Sequence, residues 1–190
     1  MNTTTVSSYL KHHLLIAMPH MADTNFAQVV IYLIEHNEQG AMGLVINRPN
    51  GLDLADVLEQ LRPDDLPPLA SHDHSIYAGG PVQTDRGFVL HECGWQFQAT
   101  LELGELALST SQDALFAIAD GSGPPRSLIA LGYAGWDAGQ LEAELADNAW
   151  LCCPADTRIL FEIPAVQRLH AAAALLGVDL SLLSSQVGHA

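Results

Sequence analysis

Three side chains offer this sequence a route to catalysis: the imidazole of His36, the carboxylate of Glu144 and the thiol of Cys153. A general base or a nucleophile needs a partner within hydrogen-bond reach to hold and activate it, and no recognisable motif ties these three together. There is no Gly-x-Ser-x-Gly elbow. Cys152 and Cys153 are adjacent, so in a strand they face opposite ways and cannot work as a Cys-x-x-Cys pair does. Cys153 precedes Pro154 at an expected strand end. Partial exposure there would make it the candidate reactive thiol; burial would make it structural. Glu144 stands in a helical row with Gln140 and Asn148, beside the apolar Leu141 and Leu145, and that row reads either as a solvated face or as a binding stripe.

Metal and phosphate chemistry find weaker footing. His72 and His74 flank Asp73, but a third ligand is missing nearby, and His12 and His13 would point to opposite faces of an early strand. No metal and no cofactor are expected. Gly132, Gly135 and Gly139 lie between a strand and a helix, where free backbone N–H groups can hold an anion. The spacing is neither a dinucleotide fingerprint nor a P-loop, and Asp137 at the expected helix cap would occupy those groups and repel phosphate.

A third kind of signal comes from strand ends. Asn47-Arg48-Pro49, Gly79-Gly80-Pro81 and Gly132–Trp136 each follow an apolar run. Glycine there lets a ligand or partner approach the backbone closely, though tight turns alone also call for it. The binding reading places Gly79, Gly80 and Pro81 in one surface depression with Tyr133, Gly135 and Trp136. His36 or Arg48 would stand at its margin, Asn47 beside Arg48, and Gln140 and Glu144 one turn below. Trp136 would form an aromatic wall.

The elements that must position these groups follow from hydrophobic period. Leu14–Ala17, Val29–Glu35, Met42–Ile46, Ile76–Ala78, Gly87–His91, Glu105–Leu108, Ser127–Leu131 and Trp150–Cys153 read as strands. The polar segment His36–Gly40 joins the second and third as a hairpin. Helices are expected at Leu54–Arg62, capped by Asp53 and stopped by Pro63; at Ser111–Ala119, capped by Thr110; at Ala138–Asn148, capped by Asp137 with Gln140 completing a capping box; and at Ala165–Leu176. Pro63–Ser75 reads as a long loop.

Composition narrows the classes of function. The chain has 190 residues, one core with elaborations rather than two domains, and 48% of them are hydrophobic. Against 22 acidic side chains stand 7 basic ones, for a formal charge of −15. Residues 71–150 carry 11 of the acids and 2 of the bases. Such a chain repels phosphate backbones and anionic lipid, so direct DNA binding is not expected. No apolar run approaches the ~20 residues that span a bilayer, and residues 1–9 read as a flexible tail without the marks of a signal peptide. Three cysteines without framework spacing fit reduced thiols and a cytoplasmic location.

Four segments, Leu10–Pro19, Glu35–Pro49, Tyr77–His91 and Leu131–Leu151, together and in this order resemble the YqgE/AlgH family of bacterial proteins. The resemblance covers nearly the whole chain. It implies a single α+β (mixed α/β) domain over residues 1–190, with a bent mixed β-sheet forming a partial barrel and helices packed on it. The AlgH branch bears the label of a transcriptional regulator, and the family brings no catalytic residues to carry over. The expectation is therefore a non-enzymatic regulatory module that binds a protein or small-molecule ligand and affects transcription indirectly. The alternative is a small-molecule enzyme using His36, Glu144 or Cys153. No pattern here speaks to the oligomeric state.

Overall fold

The apolar run that begins at Val29 has no polar face, which is what a strand covered on both sides requires. In the structure, a computed structural model that describes residues 9–185, it does lie between two layers. Val30, Tyr32 and Ile34 enter one core cluster, and Val29, Ile31 and Leu33 enter another. The strand before it divides in the same way, Leu14 and Ile16 from Leu15 and Ala17. Apart from Tyr9, the expected tail lies outside the described residues.

Ten strands form the sheet: β1 His13–Ala17, β2 Val30–Asn37, β3 Gly40–Val45, β4 Pro49–Asp53, β5 Ser75–Ala78, β6 Val82–Glu92, β7 Thr100–Leu103, β8 Leu106–Ser109, β9 Ser127–Asp137 and β10 Trp150–Pro154. The helices are α1 Leu54–Leu61, α2 Gln112–Asp120, α3 Gln140–Ala146, α4 Thr157–Phe161, α5 Ala165–Leu175 and α6 Leu180–Ser185. The main path runs β10-β1-β2-β3-β9-β6-β8-β7, with β4 and β5 attached beside β9. Pairing is antiparallel except between β5 and β9. The sheet curls into a half-barrel, and α4, α5 and α6 pack on its inner cluster through Ile159, Leu160, Ala172, Ala173 and Leu180. On the outer face, α3 covers β1, β2, β3 and β10 through Leu141, while α1 and α2 cover β5, β6 and β9 through Leu54, Leu58, Ala114 and Ile118.

Local chemistry sets several of these boundaries. Asp53 accepts from the Asp56 backbone N–H at 2.9 Å, and Asp56 returns a bond to the Asp53 N–H at 2.9 Å, a complete capping box at the start of α1. Ser111, not Thr110, precedes α2, and Gly121 ends it at φ +79°. Inside the domain, Arg168 of α5 is buried and donates to the main-chain carbonyls of Ile163 and Ile46, with its guanidinium 5.0 Å from the Tyr77 ring centre.

The largest departure from expectation is β9. It does not stop at Leu131 but continues through Asp137, so Gly132–Trp136 is strand rather than turn. Gly132 has φ +77° and works as a bulge. Before it, Leu128 and Ala130 face the inner cluster; after it, Tyr133 does so, and Ala134 and Trp136 face the outer cluster under α3. This phase reset lets one strand pair with β5 and β6 along its first part and with β3 along its last. Asp137 therefore closes a strand, and Gly139 precedes α3. The chain also forms β4, β7, α4 and α6, which the sequence pattern does not announce.

Candidate functional site

The glycine segments do meet, though as backbone against backbone. A Cβ on Gly79 would stand 2.4 Å from the Gly132 carbonyl oxygen, and one on Gly80 would stand 2.1 Å from the Tyr133 carbonyl carbon. Gly79 also donates to the Leu131 carbonyl at 2.8 Å and accepts from the Val45 N–H at 2.8 Å. The close approach that glycine allows is thus taken up by neighbouring strands, with Pro81 exposed beside it. Trp136 is 6% exposed, stacks with Phe26 and meets Trp150 edge to face in the outer cluster, so it is core and not an open wall. Gly135 and Gln140 are on the surface of the same corner.

The polar residues expected to serve a ligand are occupied within the fold. Glu144 Oε2 accepts from the indole N–H of Trp136 at 2.9 Å and of Trp150 at 2.8 Å, while its Oε1 accepts from Gln140 at 3.0 Å. Asn47 accepts from the Val30 N–H and donates to the Gln28 carbonyl, both at 2.9 Å. Arg48 donates to the carbonyls of Asn25 at 2.8 Å and Ala27 at 2.9 Å, clamping the segment before β2. His36 is buried. Its Nδ1 accepts from the Leu10 N–H at 2.9 Å, so that nitrogen carries no proton, and its Nε2–H donates to Glu142 at 2.7 Å. The Glu142 backbone N–H and His36 together hold the Glu142 carboxyl below its ordinary range. This cross-link between β2 and α3 joins residues 106 apart, which no local pattern reveals.

Cys153 overturns the expectation of exposure. It is 2% exposed within the inner cluster, and burial followed by the charge of Asp156 pushes its thiol up. Burial also pushes Cys152 up to about 11. Cys93 is the exposed thiol. Among the described residues, no group of three His, Cys, Asp or Glu side chains is placed to hold a metal ion.

Of several concavities among the described residues, one with a largely apolar lining and charged groups at its edge lies elsewhere, in the mouth of the half-barrel. Its volume is about 460 Å³, and its walls come from six consecutive strands of the sheet, β2, β3, β9, β6, β8 and β7. Ile34, Met42, Phe88, Leu108 and Tyr133 supply an apolar interior, and Phe88 and Tyr133 meet edge to face at 5.9 Å. Of the residues singled out in the sequence, Tyr133 is here. Two charged groups at the rim, Glu35 and Arg86, had no distinguishing signal in the sequence.

Both are delivered by irregular pairing. Regular alternation would send Ile34 inward and Glu35 outward. A register shift between Leu33 and Glu35 against β3 brings both to the cavity wall. On β6, a second shift between Val82 and Gly87 against β9 arches Gln83–Arg86 out of the sheet. Arg86 then returns over the Phe88 ring at 5.2 Å, with a long contact of 3.3 Å to Gln83. Glu35 meets Lys11 at 3.5 Å. Bulges commonly re-aim side chains at sheet rims and binding sites, and here two of them set opposite charges on one apolar mouth.

Comparison with known proteins agrees with this architecture. The AlgH-like family model matches residues 14–181. The UPF0301 protein AlgH of Pseudomonas aeruginosa is 74% identical over 183 residues, 96% of this chain and 97% of that protein. A UPF0301 protein of Stutzerimonas stutzeri is 72% identical over 186 residues, 98% of each chain. The solution structure of Pseudomonas aeruginosa AlgH superimposes with a TM-score of 0.81 at 72% identity, covering 100% of both chains. A crystal structure of a Corynebacterium diphtheriae protein shares the fold at TM-score 0.72 and 20% identity, over 92% of this chain and 91% of that one. The half-barrel, the helices on its two faces and these matches lead to one conclusion: the chain belongs to the AlgH-like, or YqgE/AlgH, family.

Proposed function

We propose that this chain acts by binding rather than by catalysis, as a cytoplasmic regulatory module whose effect on transcription is indirect. The observation that carries the reading is the mouth of the half-barrel, an apolar cavity of about 460 Å³ with Glu35 and Arg86 at its rim. Ligand sites favour barrel mouths and this order of volume. The groups on which an enzyme reading rests are committed elsewhere: His36 to Leu10 and Glu142, Glu144 to two tryptophans, and Cys153 to the inner core. Indirect action suits a charge of −15, which opposes contact with a phosphate backbone. No helix among the described residues is long and apolar enough to cross a membrane.

The test is a thermal-shift screen of small metabolites against the purified chain and a Thr100→Trp variant that fills the mouth. A metabolite that raises the melting temperature of the native chain, leaves the filled variant unmoved and is recovered unchanged supports the proposal. Equal stabilisation of both forms would place binding elsewhere, and chemical conversion of the metabolite would return the enzyme reading.

A further inference from the structure

We infer that the mouth selects a small monocarboxylate with a flat apolar body, the carboxylate on Arg86 and the body against Phe88, Tyr133 and Met42. This rests on the mouth being the binding site. The chain has 7 basic residues among 22 acidic ones, so a cation left without a carboxylate is informative. Lys11 pairs with Glu35, Arg126 with Glu92 and Glu162, and Arg158 with Glu162. Arg48 and Arg168 spend their donors on backbone carbonyls, and Arg62 lies 3.7 Å from the centre of the Phe116 ring. Arg86 is exposed, has no ion pair among the described residues, makes only a long 3.3 Å bond from one nitrogen to Gln83, and stands over an aromatic ring that forms the cavity floor. A guanidinium in that state presents a planar fork matched to a carboxylate.

The rest of the mouth limits what can accompany that carboxylate. The aromatic pair and the pliable Met42 favour a ring or a flat hydrocarbon body. Glu35 across the rim repels a second negative charge, and the net charge of the chain opposes polyanions such as nucleotides. A single carboxylate on an apolar body meets all of these conditions.

The experiment titrates the full-length chain with 3-phenylpropanoate, 3-phenylpropanol and 3-phenylpropylamine, following the Met42 methyl and the Thr100 and Leu108 amides by NMR. The expected result is that 3-phenylpropanoate shifts these signals and binds tighter than the alcohol or the amine. Arg86→Gln should weaken it about tenfold or more, the loss expected for a hydrogen-bonded charge pair. Arg86→Lys should fall between, because the charge remains and the fork is lost. Because Arg86 is exposed, both variants should keep the native spectrum; global unfolding of either would overturn the assignment by making Arg86 structural. Equal binding by the native and Arg86→Gln chains, or preference for the amine, would overturn the carboxylate class while leaving the mouth as the site. If no probe moves Met42, Thr100 or Leu108, the mouth itself is overturned as the site.

Discussion

Replacing Glu144 with alanine should destabilise the fold by about 2–6 kcal/mol, although Glu144 is itself only half-buried. One carboxylate oxygen receives two indole N–H groups, from Trp136 at 6% exposure and Trp150 at 3%. Removing it strands both donors where water cannot reach them readily, and each stranded donor costs about 1–3 kcal/mol. Glutamine should be far milder, at about 1 kcal/mol, because its amide oxygen still accepts while the charge assistance is lost. For a chain of this size, about 2–4 °C of melting temperature accompanies each kcal/mol, so alanine should lower it by at least about 4 °C. Urea unfolding followed by tryptophan fluorescence reads the free energies and a thermal melt on the same signal reads the temperature, since two of the three tryptophans are the bonded pair. An alanine variant within about 0.5 kcal/mol of native, or a glutamine variant as damaged as alanine, would refute the argument that this carboxylate acts as an acceptor clamp.

Gly80→Ala should cost more than about 4 kcal/mol, because its Cβ meets the Tyr133 backbone. Gly51→Ala, with φ +87° and nothing within 4 Å, should cost only about 1–2 kcal/mol, and paired denaturant melts will separate clash from strain. Native-state alkylation with mass spectrometry should label Cys93 rapidly and Cys152 and Cys153 slowly; labelling of Cys153 at the Cys93 rate would contradict its burial. Burial holds the His91 imidazole below its ordinary value of 6.5, against an opposing bond to the Glu92 carbonyl. The unfolded chain therefore binds the extra proton first, and stability should fall as pH drops below about 6.5. A His91→Gln variant should lose that part of the slope in urea midpoints measured from about pH 7.5 to about pH 5.5.

Where a local rule governs, the sequence foretold the structure well. The apolar run around β2 and the Asp53 cap of α1 each follow from neighbouring residues, whereas the capping box expected at Asp137 and Gln140 gives way to a strand end. The sequence pattern predicts a strand that stops at Leu131, because Gly132 and Gly135 look like turn formers, where β9 in fact runs on to Asp137. The reason for Gly132, its close approach to the Gly80 backbone, comes from a residue some 50 positions earlier. Strand β4, Pro49–Asp53, has almost no buried side chain, and α4 is five residues long, so neither carries a period to read. The candidate site was hidden for a similar reason. Glu35 and Arg86 reach the mouth through register shifts, and a shift is a property of two strands together, whereas Tyr133 could be noticed because it stood beside conspicuous glycines.

The position of β9 at the junction of three partners has a consequence for synthesis on the ribosome. Residues 127–137 pair with β3, β5 and β6, all of which emerge earlier. Until that segment clears the exit tunnel, the β1–β3 and β6–β8 pieces have no strand to join them, and their facing edges stay open. Long-range pairing of this kind is slow and leaves apolar edges exposed to association. A nascent chain arrested before Ser127 should therefore hold chaperones more tightly than one in which Asp137 has cleared the tunnel, so that a single eleven-residue strand closes the open inner edges while the inner face waits for α4, α5 and α6.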